Sequence, residues 1–263
     1  MFIDTHCHLY LWKLNENKEE IINSFWEKWW KKIINIWVDI ESSHKVIDIS
    51  KEFENNVATI WIHPCYVMEQ TKTINENIEI LKEIYAQNKD LIVWIWEAWL
   101  DNYHLWEDKE KEKALQKEYF KAQIRLSKEL NIPIIIHTRE AWNETLEILR
   151  SEKCDNFIIH CYSEDLDFAR QCMDISEKCV FAFWWVLTFP KSDKVKETAK
   201  HIPLERIVVE TDAPYLAPQS KRWKLNKPEN VRDIVEYLAE LRWEDYDFVE
   251  KKVYENSVNF FNL

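Results

Sequence analysis

Short apolar runs alternate along this chain with longer amphipathic stretches. Phe2 to His8 opens on an apolar pair and is predicted as a strand, followed by a helix over Glu16 to Lys32 with Ile21, Ile22 and Phe25 on one face. Ile33 to Val38 is rich in β-branched residues, as a parallel strand covered on both faces requires. Ser42 and Ser43 are placed to cap the next helix, which runs through Phe53. The alternation then repeats. Strands are predicted at Val57 to Ile62, Leu91 to Ile95, Ile132 to Ile136, Phe157 to Ile159, Val180 to Phe183 and Ile207 to Val209. Helices are predicted at Thr73 to Gln87, Glu107 to Leu130, Ala141 to Arg150, Asp165 to Met173, Asp193 to Lys200, Glu229 to Leu241 and Asp245 to Phe261. Eight strand–helix units with short connections predict an α/β chain, one domain over residues 1–263, closed as a (β/α)8 barrel.

The polar residues that interrupt this pattern fall in one kind of place. His6, His8, His63, Glu97, His137, His160 and Asp212 each stand at or just past the C-terminal end of a predicted strand. In a barrel those ends converge on one mouth. His44, on a predicted helix, and His201, before Ile202-Pro203, do not share it. In a strand, the period of two puts His6 and His8 on one face, with Asp4 behind them as a candidate to orient a ligand. Imidazoles and carboxylates are ligands for Zn2+, Mn2+ or Mg2+, and a carboxylate at Glu97 has the position to bridge two ions. Such a centre activates water for attack on a phosphoryl or carbonyl group, with Asp212 as both ligand and acceptor of the water's proton. Glu210, two residues earlier, is either a buried hydrogen-bonded carboxylate or a direct catalytic group.

Composition changes this picture in two ways. A net charge of −12 makes general attraction to nucleic acid repulsive, so such a partner needs a local basic patch. Lys221 to Lys227, with Arg139, is the one such patch in sight, either a phosphate-holding loop or a solvated one; Phe189 and Tyr215 are candidates to stack a base beside it, and Phe183 is a weaker candidate that reads first as core. No secretory signal and no run of 18 apolar residues is present, and six cysteines form no CxxC pair, so a cytoplasmic protein with reduced thiols and no membrane partner is expected. The second change is stranger. The chain has no glycine and 15 tryptophans, where glycine ordinarily makes up about 7% of residues. Trp61, Trp99 and Trp223 stand where a turn wants glycine. The expectation is that some or all tryptophans are glycines of the natural chain, as when UGA codons read as glycine in the source are translated as tryptophan. An intact mass of the natively produced protein matching 15 tryptophans would dismiss it.

Six segments, in order, resemble the signature blocks of the TatD family of metal-dependent deoxyribonucleases. They are Asp4-Thr5-His6-Cys7-His8-Leu9, Trp61-Ile62-His63-Pro64, Trp94 to Asp101, Ile135 to Ala141, Ile159 to Ser163, and Glu210-Thr211-Asp212-Ala213-Pro214-Tyr215-Leu216. The resemblance spans nearly the whole chain. It implies an amidohydrolase-like TIM barrel holding one to three divalent ions on His6, His8, Glu97, His137, His160 and Asp212. It also implies a catalytic or phosphate-binding role for His63, and a basic loop at Lys221 to Pro228 in which Lys221 and Arg222 join Arg139 as substrate contacts. Cys65 departs from the family's second histidine after His-Pro and reads as an idle side chain. Trp37, Trp61, Trp94, Trp96, Trp99, Trp185 and Trp223 occupy family glycine positions, a second argument for the glycine reading.

The resulting expectation is a monomeric exonuclease-type enzyme that hydrolyses DNA, as single strands or ends, with metal-activated water. Two rivals remain open. One keeps the metal site and takes an ester or amide, such as an aminoacyl-RNA ester or a lactone; the other is a metal-binding scaffold without catalysis.

Overall fold

In the computed structural model, the described residues are 1–27, 32–36, 40–60, 68, 70–105 and 108–263; the side chains of 40–42 and 95–99 also fall outside the description. Among these residues, eight parallel strands form one sheet in sequence order: β1 (Ile3–Cys7), β2 (Lys32–Asn35), β3 (Asn56–Ile60), β4 (Ile92–Asp101), β5 (Ile134–Arg139), β6 (Phe157–Ile159), β7 (Val180–Phe183) and β8 (Ile207–Val209). The first and last strands meet. Asp212 N–H donates to the His6 carbonyl at 2.9 Å and His8 N–H to that of Ala213 at 2.8 Å. Thr5 Oγ1 adds a bond to the Val209 carbonyl at 3.0 Å. The chain is a TIM barrel, as the alternation of its elements predicts.

Among the described residues, ten helices accompany the sheet: α1 (Trp12–Glu16), α2 (Lys18–Glu27), α3 (Ile40–Glu52), α4 (Ile74–Gln87), α5 (Lys109–Leu130), α6 (Trp142–Ser151), α7 (Leu166–Ile175), α8 (Asp193–His201), α9 (Val231–Arg242) and α10 (Tyr246–Phe261). Side-chain alternation separates two layers of core. Ile134, Ile136, Phe157, Ile159, Ile207 and Val209 pack outward with helix residues such as Phe120, Leu149 and Val235. Ile135, Ile158, Val180 and Val208 form the inner cluster. The same period of two carries the inner face onward from Ile135 to His137, from Ile158 to His160 and from Val208 to Glu210. Polar residues thus reach the mouth because the apolar ones below them fill the barrel.

Several boundaries differ from the sequence-based expectation. The single helix over Glu16 to Lys32 is two, because Asn17 ends α1 and its side-chain amide bonds back to the Lys13 carbonyl at 2.8 Å. Ser43 is buried inside α3 instead of capping it, since the helix starts at Ile40. Strands β4 and β5 run past Ile95 and Ile136, so Glu97 and His137 lie within strands rather than beyond them. Thr73 caps α4 with a full capping box to Glu76. Among the described residues no helix is long and apolar enough to cross a membrane.

The backbone bears on the tryptophans. Trp12, Trp223 and Trp243 have φ of 41°, 75° and 55°, the left-handed region that glycine enters without penalty. Trp94 is fully buried, with its ring centroid 3.5 Å from that of Phe261. Aromatic pairs ordinarily keep about 4.5–7 Å, so that contact is overpacked. Trp184 and Trp185 bury indole N–H groups that find no acceptor among the described residues. Trp37 and Trp61 lie outside the described residues, as do the side chains of Trp96 and Trp99.

Cys7, Cys154, Cys172 and Cys179 are buried thiols outside any disulfide. Burial pushes the thiols of Cys154 and Cys179 up to about 12 and that of Cys172 well above its ordinary value. Thiolate is the reacting form. Cys154, Cys172 and Cys179 are therefore expected to stay unmodified by a thiol-disulfide reagent at pH 8 in the native protein and to react on unfolding. Mass mapping of labelled peptides checks this; rapid native labelling at any of the three would contradict it.

Candidate metal centre

Strand β1 delivers His6 and His8 to the mouth, and the segment after β8 delivers Asp212 beside them. Both His residues and Glu210 are buried. Nε2 of His6 lies 3.0 Å from Nε2 of His8, and these atoms are 3.2 and 3.4 Å from Asp212 Oδ1. Donors about 2.0–2.2 Å from a shared divalent ion are separated by about 3.0–3.5 Å in tetrahedral or octahedral arrangement. The three atoms have that spacing, and the donor set of two imidazoles and a carboxylate suits the same ions. The residues fit a divalent metal.

Electrostatics favour ligand-competent forms. Burial and the neighbouring His160 ring hold His6 below its ordinary value, against the opposing pull of Asp212. Burial works against charge on Asp212 as well, but the His6 and His8 imidazoles outweigh it and hold the carboxyl below the usual range. Asp212 has φ of 54°, and its N–H is held by the His6 carbonyl, which fixes the carboxylate over β1.

Glu210 lies behind the histidines. Its Oε1 accepts the Cys161 N–H at 2.6 Å and faces His160 Nδ1 at 3.0 Å, while Oε2 is 3.9 Å from His6 Nδ1. Glu210 thereby engages His160 Nδ1 and fixes the orientation of the ring. The rings of His6 and His160 stack at 4.1 Å, and that of His137 is 5.3 Å from His160. Glu210→Gln is expected to weaken divalent-metal affinity about tenfold with the fold intact; titration calorimetry showing unchanged affinity would assign Glu210 elsewhere.

Asp4 also orients from behind, through the backbone. Its carboxylate accepts N–H groups of His6 at 3.2 Å and Thr211 at 2.9 Å and the Thr211 hydroxyl at 2.6 Å, tying β1 to the exit of β8. Burial pushes its carboxyl well above the usual value, with those three donors opposing.

The remaining candidates are dispersed. His63 and Cys65 lie outside the described residues, and for Glu97 only its backbone position in β4 is described. Arg139 ends β5 with its guanidinium over the Tyr103 ring, 4.0 Å from the centroid. Lys221 turns to α9, with Nζ 2.8 Å from Asn230 Oδ1 and 3.1 Å from Asp233 Oδ1. Arg222 lies over Phe189 at 4.5 Å. Phe183 is core, in contact with Tyr162, whereas Tyr215 is exposed with its ring 5.6 Å from His8. The basic loop is anchored to the site, since Asn226 Nδ2 donates to the Thr211 and Leu216 carbonyls at 2.8 and 3.1 Å. Sequence reasoning assigned no role to Tyr103, His104 or Cys161. The one available signal was a carboxylate, Asp101, three residues before a histidine at a strand end.

Comparison with known proteins agrees with this geometry. The family model for TatD related DNase matches residues 3–262. The uncharacterized metal-dependent hydrolase YabD of Bacillus subtilis is 32% identical over 265 residues, covering 100% of both chains. YcfH of Escherichia coli, likewise named a metal-dependent hydrolase, is 30% identical across 99% of this chain and 96% of its own. Among solved structures, the TatD homologue YJJV of Escherichia coli superposes with a TM-score of 0.89 at 22% identity, over 100% of this chain and 98% of that one. The chain belongs to the TatD related DNase family and is a metal-dependent hydrolase.

Proposed function

We propose that this protein hydrolyses phosphodiester bonds of DNA, acting on single strands or ends. The observation that carries the reading is the convergence of His6 Nε2, His8 Nε2 and Asp212 Oδ1 within 3.4 Å at the mouth of the barrel. His137, His160 and Glu97 are the further ligands proposed for one to three ions of Mg2+, Mn2+ or Zn2+. A divalent ion bound there supplies positive charge that favours ionisation of water and offsets the charge developing at phosphorus.

The chain's own groups do the rest. Asp212, held ionised by the two imidazoles, would use Oδ1 as a ligand, and Oδ2, which faces Cys161 Sγ at 3.7 Å, would receive the proton of the attacking water. Glu210 and Asp4 are positioning residues, the first through the His160 ring and the second through the backbone of β1. Arg139 and Arg222 are the cations proposed for phosphate, and Lys221 serves the loop through Asp233. Tyr215, exposed beside His8, is the aromatic face proposed for an unpaired base. Glu97 would supply a further carboxylate to the metal site, and His63 would bind phosphate or act in catalysis.

The experiment is release of nucleotides from end-labelled single-stranded DNA, with Mg2+, with Mn2+ and with chelator. Metal-dependent release supports the reading, and the label gives the direction of attack. No release while metal remains bound overturns it in favour of an ester or amide substrate.

A further inference from the structure

The loop leaving β4 carries a second ordered arrangement at the barrel mouth. Asp101, the last residue of β4, is fully buried. Its Oδ1 accepts the N–H groups of Tyr103 at 2.7 Å and His104 at 2.9 Å, and its Oδ2 holds His104 Nδ1 at 2.5 Å. The Asp101 N–H is itself held by Gln116 Oε1 on α5 at 3.0 Å. His104 Nδ1–H thus donates a hydrogen bond to the carboxylate, and Nε2 faces away from it, on a half-exposed ring. A turn built on Asp101 needs only the two backbone bonds. The third orders an exposed side chain, which costs conformational entropy and adds little to the core.

That ring is one member of a row. The Tyr103 ring meets it edge-on at 4.8 Å, and the Arg139 guanidinium lies over Tyr103 at 4.0 Å. Among the described residues Arg139 pairs with no carboxylate, unlike Lys221 on the opposite loop. Asn102 locks the two loops together, donating its N–H to the Arg139 carbonyl at 3.0 Å and its side-chain amide to the Glu140 carbonyl at 2.8 Å. In the sheet Asp101 is in register with Arg139, two residues beyond the Trp99–His137 pair. Two strand residues advance about 7 Å, the stride of one extended nucleotide. Arg139 shares the inner face of β5 with His137, so the row stands one step outward from the proposed metal centre.

We propose that His104, Tyr103 and Arg139 form a subsite for the nucleotide adjoining the one being cut, with Asp101 as the residue that positions His104. Arg139 binds that nucleotide's phosphate, His104 presents Nε2 to hydrogen-bond with the same nucleotide, and the Tyr103 edge packs on its sugar. The inference rests on the phosphodiesterase reading and adds where on the strand the enzyme grips.

The test compares two substrates for the unvaried protein, His104→Ala and Arg139→Gln. One is a single-stranded decamer; the other is bis(p-nitrophenyl) phosphate, which has no adjoining nucleotide. Each substitution is expected to lower the decamer-to-small-diester ratio of kcat/KM about tenfold, through KM. Asp101→Asn is expected to reproduce the His104→Ala shift. An unchanged ratio, or equal losses on both substrates, would overturn the subsite. If the unvaried protein cleaves no DNA, the nuclease reading is what fails. Binding of the dye-labelled decamer in chelator then decides the subsite, and equal binding by the unvaried and variant proteins overturns it.

Discussion

Replacing Asp212 by asparagine is expected to cut metal-dependent nucleotide release by about a thousandfold or more, roughly 4 kcal/mol of transition-state stabilisation. The size follows from how much converges on this side chain. Oδ1 is the acidic member of the set formed with His6 and His8, at 3.2 and 3.4 Å. An amide keeps the shape but lacks the charge that the two imidazoles favour, and it cannot take a proton from water. Metal stoichiometry should fall in the same variant, by equilibrium dialysis with atomic emission. Circular dichroism should be unchanged, because the Asp212 N–H to His6 carbonyl bond that closes the barrel does not involve the side chain. Release within tenfold of the unvaried protein would remove Asp212 from the centre of the mechanism.

The second large effect is on stability. Replacing Trp223 and Trp243 together by glycine is expected to stabilise the fold by about 2 kcal/mol, a rise in Tm of about 5 °C. Helix α9 ends in a Schellman motif: the Glu244 N–H bonds the Ala239 carbonyl at 3.1 Å and the Trp243 N–H bonds that of Glu240 at 3.2 Å. The residue between must be left-handed. The same motif after α5 uses Asn131, and the left-handed residue that ends α10 is Asn262, with φ values of 53° and 52°. Trp243 bears the Cβ penalty with a side chain 94% exposed, and Trp223 with one 92% exposed, so little packing offsets it. Trp142 is the contrast: it opens α6 and packs on Phe168 at 4.7 Å, so Trp142→Gly should destabilise. Thermal unfolding of the three variants checks the pattern. A lower Tm for the Trp223/Trp243 double variant would contradict it.

How much of this was legible in the chain depends on the range of the forces involved. Strand and helix order follows from local periodicity, since each segment needs one apolar face in any barrel, and β6, β7 and β8 fall where their apolar runs predict. Candidate ligands were legible for the same reason. A histidine after Ile135-Ile136 or Ile158-Ile159 marks the point where the apolar core gives way to the mouth. Unusual composition was legible too, because left-handed turns need glycine in any fold.

What the tertiary structure alone decided is which of these polar groups meet, and through which atoms. Glu210 turned toward His160 and Cys161 because the sheet brings the end of β8 within hydrogen-bond reach of the end of β6, a relation between residues far apart in sequence. Lys221 was drawn to Asp233 on α9, and Arg222 onto Phe189, so a run of basic residues divided into different tasks. The row of His104, Tyr103 and Arg139 depends on the register that sets Asp101 beside Arg139 across two strands. Hydrophobic periodicity is a property of neighbours along the chain, and it determined the barrel. Hydrogen bonds and charge pairs are short-ranged in space but not in sequence, so only the closed sheet could select them.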